Sequence, residues 1–403
     1  MATAFQESKA TGSARDALAG IKVIDVDTHL SEPYDLWTSR APAKWKERVP
    51  QVKEKDGKRN WVIEGGTVMG PATAVSVVRA DGEKARGIEF FAWELKDVHP
   101  GSWNVKPRLA FMDGEGIWAQ ILYPNVLGFG GQRAATFDPE LRLICTQIYN
   151  DTMADIQQES AGRMYGMALM PWWDVELAVK ETIRCHQMGI KGINTNSSPQ
   201  DHGIPDLGQP YWHPLWEVCS DLHMPINFHI GASSESMDFF GKASWPCQTN
   251  EQKLALGSTM LFLHNAQVFA NIIYAGILER FPKLNFVSVE SGVGWMPFLL
   301  EALDYELDEA APHAKDFLSM KPSEYFKRQI YACFWFEQKG FKMAMDAVGV
   351  DNIMFETDFP HPTCLYPNAL DYVANTMEGL SFADKRKLLS GNASRVYSIP
   401  LPG

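Results

Sequence analysis

The chain has 403 residues, 45% hydrophobic and 21% charged, the make-up of a globular enzyme with a sizeable core. A net charge of −12, from 37 Lys and Arg against 49 Asp and Glu, argues against nucleic acid or an anionic membrane as a partner, since either wants a basic face. The six cysteines are scattered without C-x-x-C spacing, which argues against a disulfide frame or a thiolate zinc site.

In chain order, residues 1–20 are polar, rich in small side chains and without an apolar leader, so they read as a flexible N-terminal arm and make the cytoplasm the default location. Residues 21–400 then alternate short apolar runs with helical patterns. The runs are Val23–Asp27, Ala119–Pro124, Met164–Met170, Gly189–Thr195, Pro225–Ile230, Asn285–Glu290, Arg328–Cys333 and Asn352–Asp358. Most are nearly continuous in Val, Ile, Leu, Met and Phe, as expected of parallel strands covered on both faces. Between them, helical spacing marks Pro139–Ser160, Val175–Met188, Trp212–Leu222 and Met260–Leu278. Eight strands alternating with helices is the arithmetic of an α/β fold, a (β/α)8 TIM barrel. A doubly wound open sheet is the alternative, but no G-x-G-x-x-G follows the first strand. Residues 39–102, rich in Lys, Glu, Gly and Trp, fit no βα unit and read as an insertion after the first strand. Residues 232–251 read as a second long loop.

In a barrel the C-terminal strand ends share one face. The first strand ends in "VIDVDTHLSEP", with Asp27 and His29; the fifth in "PINFHIG", with His229; the sixth in "NFVSVESG", with Glu290. The eighth ends in "NIMFETDFPHP", with Asp358 and then His361. Two imidazoles and three carboxylates from four strands are nitrogen and oxygen donors for a divalent cation, and a cation turns crowded carboxylates into a coordination shell. Singly, each has an ordinary reading as a turn former, a helix cap or a core histidine. Glu32 and His264 stand between a structural role and a second metal site. His361 is a candidate for contact with substrate. Trp295 and Trp335 are candidate walls of a pocket for an apolar or aromatic ligand, or rim packing.

"VIDVDTHLSEPYDLW", "GIKGINTNS", "ERFPKLNFVSVESGVGW" and "NIMFETDFPHP" resemble the amidohydrolase-related branch of the amidohydrolase superfamily, over roughly residues 23–400. That branch includes aminocarboxymuconate-semialdehyde decarboxylase and aromatic acid decarboxylases. The resemblance implies the barrel, a divalent metal at Asp27, His29, His229 and Asp358, and a proton-handling role for Asp358; it also implies a homodimer or higher oligomer. The sequence departs from the branch in its Asp-x-His at the first strand and in Glu290, where decarboxylases carry a histidine in an "HGG" turn. The expected cofactor is a divalent metal, Zn, Mn or Fe, as one ion or, in an oxygenase, two; three carboxylates over-compensate a single Zn and suit Mn, Fe or two bridged cations better.

Three readings follow. The first is metal-dependent hydrolysis or decarboxylation of a small carboxylated or amide-bearing, often aromatic, substrate, with Asp358, Glu290 and His361 doing the chemistry. The second, implied by oxygenase relatives on the same barrel, is a dinuclear iron or manganese–iron monooxygenase using Glu32 and His264 at the second ion. The third is a catalytically degenerate partner subunit.

Overall fold

The computed structural model describes residues 14–55 and 57–402. Most of the arm expected over residues 1–20 lies outside the described residues; Ala14–Leu18 forms one turn of 3-10 helix with Leu18 buried.

The fold is α/β with parallel strands. Strand β1 (Val23–His29) is buried at every position, which is why its sequence shows no alternation. It is followed by β2 (Gln51–Lys55), β3 (Lys58–Ile63) and β4 (Thr67–Pro71), a separate antiparallel sheet inside residues 39–102. The parallel series continues with β5 (Ile117–Tyr123), β6 (Met164–Gly166), β7 (Ala168–Leu169), β8 (Ile193–Asn194) and β9 (Ile226–His229). It ends with β10 (Phe286–Val289), β11 (Ile330–Phe334) and β12 (Ile353–Phe355). Each of the eight expected runs holds a parallel strand; the third is broken at Met167 into β6 and β7.

Hydrogen-bonded order runs β1-β5-β6 in one sheet and β7-β8-β9-β10-β11-β12 in another. Met167 joins them, with its N–H on Leu122 O (3.0 Å) while the next residue, Ala168, donates to Gly192 O (3.1 Å). At the other side Asp358 N–H donates to Asp27 O (2.9 Å) and His29 N–H to Phe359 O (2.8 Å). The segment after β12 is thereby tied to the end of β1, and the two ends of the chain's parallel series meet where the candidate ligands lie.

Helices cover the strands. The first four are α1 (Val105–Glu115), α2 (Pro139–Glu159), α3 (Val175–Gln187) and α4 (His213–Asp221). Helix α2 starts where Asp138 accepts from Glu140 N–H and Leu141 N–H, and α3 where Asp174 accepts from Leu177 N–H. Residues 232–251 are not a plain loop: they hold α5 (Ser234–Lys242) and the first residues of α6 (Asn250–Tyr274). Two capping boxes, Ser233 with Ser236 and Thr249 with Gln252, start these helices; α6 thereby begins at Asn250, ten residues before the Met260 that apolar spacing indicates. No helix among the described residues is long and apolar enough to cross a membrane.

Beneath the strand ends lies a buried polar frame. Asp25 accepts from Thr357 N–H (2.8 Å), Thr357 Oγ1 (2.6 Å) and Gln120 Nε2 (3.0 Å). Arg108, fully buried, donates to Gln120 Oε1 (3.0 Å) and to His29 O (2.5 Å), and also to Gly101 O. Burial raises Asp25 to about 7 despite these donors, and lowers Arg108 to about 9. The frame fixes the ends of β1 and β12 from below and leaves the next residues along each strand free to face the site.

Candidate metal centre

The end of β1 supplies Asp27 and His29, the end of β9 His229, the residue after β10 Glu290, and the loop after β12 Asp358 and His361. All six are buried, none more than 7% exposed. Their donor atoms form two overlapping groups, Asp27–His29–His229–Glu290 and His29–Glu290–Asp358–His361, each with its atoms within 4.8 Å of one another.

The geometry is that of lone pairs aimed at a common point. His29 Nε2 and His229 Nε2 are 3.1 Å apart. His229 Nδ1 lies 2.8 Å from Ile230 O, which places its proton there and leaves Nε2 as a free donor to a metal. Glu290 Oε2 is 3.1 Å from His229 Nε2, and Asp27 Oδ1 is 3.7 Å from it. Asp27 Oδ1 and Asp358 Oδ1 are each 3.8 Å from His29 Nε2. Both oxygens of Asp27, Oε2 of Glu290 and Oδ1 of Asp358 are buried and accept no hydrogen bond. Buried carboxylate oxygens without donors are costly unless a cation is their partner. Desolvation pushes Asp27 and Glu290 well above the ordinary carboxylate range, and neighbouring carboxylates add to it. Desolvation likewise holds His29 well below its usual value and His229 at about 3, so both rings are neutral ligands at neutral pH. Two neutral imidazoles with acidic oxygens fit a divalent metal.

The backbone is bent to make this arrangement. Glu290 (φ 54°) and Asp358 (φ 59°) both occupy the left-handed region, rare for side chains other than glycine. Each such residue costs on the order of 1–3 kcal/mol and persists where the surroundings over-determine it. Asp358 is held by its N–H on Asp27 O and by Thr363 Oγ1, which donates to Oδ2 at 2.6 Å.

His361 lies over His29, ring centroids 3.6 Å apart and nearly parallel. Its Nδ1 is 3.1 Å from Asp358 Oδ1 and its Nε2 2.9 Å from Asn125 Oδ1. Asn125 Nδ2 faces Glu32 Oε2 (3.3 Å) and Leu30 O (3.4 Å), so Oδ1 is the acceptor and His361 carries its proton on Nε2.

Three sequence candidates fall differently. Glu32 is buried, but Oε1 accepts from Asn125 N–H (2.8 Å) and Val126 N–H (3.0 Å); it anchors the loop after β5 and belongs to neither ligand group. His264, on α6, packs beside Phe239 and also lies in neither group. The dinuclear oxygenase arrangement that required these two has no support in this geometry. Trp295 donates Nε1–H to Ser291 O (3.1 Å) and meets Phe326 edge-on, and Trp335 is buried edge-on to Phe262 and Phe336. A cavity of about 240 Å³ beside the centre takes its aromatic walls instead from Trp61, Phe91 and Phe129.

Two groups at the centre escape a reading by strand ends. Asn125 follows β5 in "YPN", a position with no titratable group to draw attention. Glu356 is fully buried, accepts from Glu290 N–H (3.2 Å) through Oε2, and leaves Oε1 without a donor. Its place directly after β12 and two residues before Asp358 in "FETDFPHP" is the signal that could have found it, since it too is a carboxylate closing the last apolar run.

The amidohydrolase family model matches residues 24–399. The chain belongs to the amidohydrolase family. This amidohydrolase is 27% identical over 303 residues to gamma-resorcylate decarboxylase of Polaromonas sp. (strain JS666 / ATCC BAA-500), covering 72% of this chain and 86% of the relative. Among solved structures it is similar to an amidohydrolase of Mycobacterium avium subsp. paratuberculosis K-10, with TM-score 0.72, 22% identity, and 94% and 99% of the two chains covered. It is also similar to dihydroxybenzoic acid decarboxylase of Polaromonas sp. JS666, solved with bound manganese and the inhibitor 2-nitroresorcinol. That match has TM-score 0.59 and 19% identity, and covers 94% of this chain and 97% of the other.

Proposed function

We propose that this amidohydrolase is a metal-dependent decarboxylase of small carboxylated aromatic molecules. The observation that carries the reading is the set of buried, donor-less oxygens of Asp27, Glu290 and Asp358 converging on the free Nε2 atoms of His29 and His229. Residues 21–400 would form one (β/α)8 barrel, with 39–102 inserted after the first strand. Support for closure comes from the bonds between Asp358 and Asp27 and between Phe359 and His29, which link the last parallel segment to the first. The decarboxylase relatives support the reaction class.

Asp27, His29, His229, Glu290 and Asp358 would hold the ion. When bound, a divalent ion supplies Lewis-acid polarisation of a substrate oxygen. The chain's own residues handle the proton. Loss of CO2 from an aromatic acid leaves a ring carbon that must take up one proton in place of the departing carboxylate. With Nε2–H committed to Asn125, the exchangeable proton of His361 is at Nδ1, 3.1 Å from Asp358 Oδ1. The pair takes up or gives up one proton without moving either side chain, as a general acid requires. Phe129, its ring 4.4 Å from that of His229, and the buried strand ends keep water from the centre.

The test is turnover of a panel of hydroxybenzoic acids by the manganese-loaded protein in D2O. The expected result is one CO2 per acid consumed, with deuterium at the vacated ring carbon. Consumption without CO2, or no consumption across the panel, overturns the reading.

A further inference from the structure

Glu290 follows β10 in a backbone state, φ 54°, where glycine is at ease and other residues need support. In that state its Oε2 stands 3.1 Å from His229 Nε2. The rotation φ starts from the plane of the Val289–Glu290 peptide, so groups that fix this peptide help set the aim of the carboxylate. Its carbonyl side is held from β9 and α6. Ile230 N–H donates to Val289 O (3.2 Å), and Asn265 Nδ2 lies 3.4 Å from the same oxygen while donating to Phe228 O (2.9 Å). Its amide side is held by Glu356, whose Oε2 accepts Glu290 N–H at 3.2 Å.

Glu356 makes that bond from two strands away. The order is β10-β11-β12, so a residue just after β12 must pass β11 to reach the end of β10. Its own N–H donates to Phe334 O (3.1 Å), which anchors its backbone on β11. Neighbouring strands lie about 4.8 Å apart, so a long side chain is needed for the span. Glutamate and glutamine have that length, and aspartate is one methylene short of it. Glu356 is fully buried and belongs to neither group of converging donor atoms. A carboxylate is costly in such a place, and the bond to Glu290 N–H is what its position achieves.

We propose that Glu356 is a positioning residue for Glu290: by taking the Glu290 N–H it holds the left-handed turn that aims the Glu290 carboxylate toward His29 and His229, and it acts through the reach of its acceptor oxygen rather than through its charge. The inference rests on the reading of this centre as a metal site. Groups that orient a ligand from behind commonly change metal affinity 10–100-fold.

The experiment is titration of manganese into metal-free wild type, Glu356→Gln, Glu356→Asp, Glu290→Ala and the double variant Glu290→Ala/Glu356→Asp, with free and bound ion read by electron paramagnetic resonance. Glu356→Asp keeps the charge and loses the reach; it is expected to bind about 10–100-fold more weakly than wild type. Glu356→Gln keeps the reach and loses the charge; it is expected to stay within about threefold of wild type. The double variant should bind no more weakly than Glu290→Ala, since a group that acts through Glu290 then has nothing to position. Glu356→Gln as weak as Glu356→Asp, no loss in Glu356→Asp, additive losses in the double variant, or a wild type that binds no manganese overturns the proposal. Glu356→Met takes the place of Glu356→Asp if thermal melts show the latter unfolded, and an unfolded Glu356→Gln overturns the proposal. If Glu290→Ala binds no manganese, the comparison of Gln with Asp decides. The outcome separates from that of the decarboxylase reading. Coupling of Glu356 to Glu290 without CO2 release removes that reading alone, and CO2 release without the coupling removes this proposal alone.

Discussion

Asp358→Asn lowers turnover of the manganese-loaded protein by about 10²–10⁴-fold, the range for loss of a positioned acid–base group, with the fold intact. The substitution keeps shape and the bond from Thr363 Oγ1, which is directed at Oδ2. What it removes is the charge 3.1 Å from His361 Nδ1 and 3.8 Å from His29 Nε2. Asp358 has two tasks in the account, ligand and proton partner, so a second substitution separates them. His361→Asn removes the proton carrier that faces Asn125 and Asp358, and leaves the donor group Asp27–His29–His229–Glu290 intact. It is expected to lose turnover to a similar extent while retaining manganese at the wild-type level. Turnover and metal content of both variants are the measurements. A His361→Asn protein that turns over normally removes the proton role assigned to it.

The second large effect is a pH dependence that the metal reverses. In the metal-free protein, Asp27 and Glu290 titrate well above the ordinary range and Asp25 at about 7, in each case chiefly because burial penalises the charge. His29 and His229 are depressed from the usual 6.5, by the same cause. Below 6.5 the two sets oppose each other, because the unfolded chain protonates its histidines while the folded one keeps protons on its carboxyls. Above 6.5 the histidines are neutral in both states and only the carboxyls count. There the folded state binds more protons than the unfolded, so metal-free stability falls as pH rises. Metal binding needs those carboxyls ionised, so manganese affinity rises over the same range. Saturation at about 100 times Kd contributes about 2.7 kcal/mol of stability. Thermal melts with and without manganese between about pH 6.5 and 8.5 should show a Tm difference that widens with pH. A difference that stays constant or narrows contradicts the account. Asp27→Asn should abolish the manganese effect and leave the metal-free protein at least as stable at the alkaline end, because it removes a buried like charge.

Much of this was legible in the residues. Continuous apolar runs located the parallel strands, because burial on both faces removes alternation, as at β1. Asp27, His29, His229, Glu290 and Asp358 stood out because each closes such a run, and the structure brings all five together with His361. What the sequence did not disclose was how neutral groups are spent. Glu32 stood open between a structural role and a second metal site; its Oε1 is taken by backbone amides 93 and 94 residues away and its Oε2 faces the Asn125 side-chain amide. Trp295 and Trp335 stood open between pocket walls and rim packing, and the choice turns on side-chain direction rather than sequence distance: Trp295 meets Phe326 and Trp335 meets Phe262 and Phe336. Residues 39–102 offered no βα pattern because they form their own antiparallel sheet, β2 to β4, and their contribution to the cavity depends on tertiary docking through Val77 and Ala74.

The measurement that tests the central claim most directly is anomalous diffraction at the manganese absorption edge, from crystals of the manganese-loaded protein. The account predicts a peak enclosed by Asp27, His29, His229, Glu290 and Asp358, lost in crystals of Asp27→Asn. A loaded protein with no peak among these residues, or with its peak at another site, would contradict it.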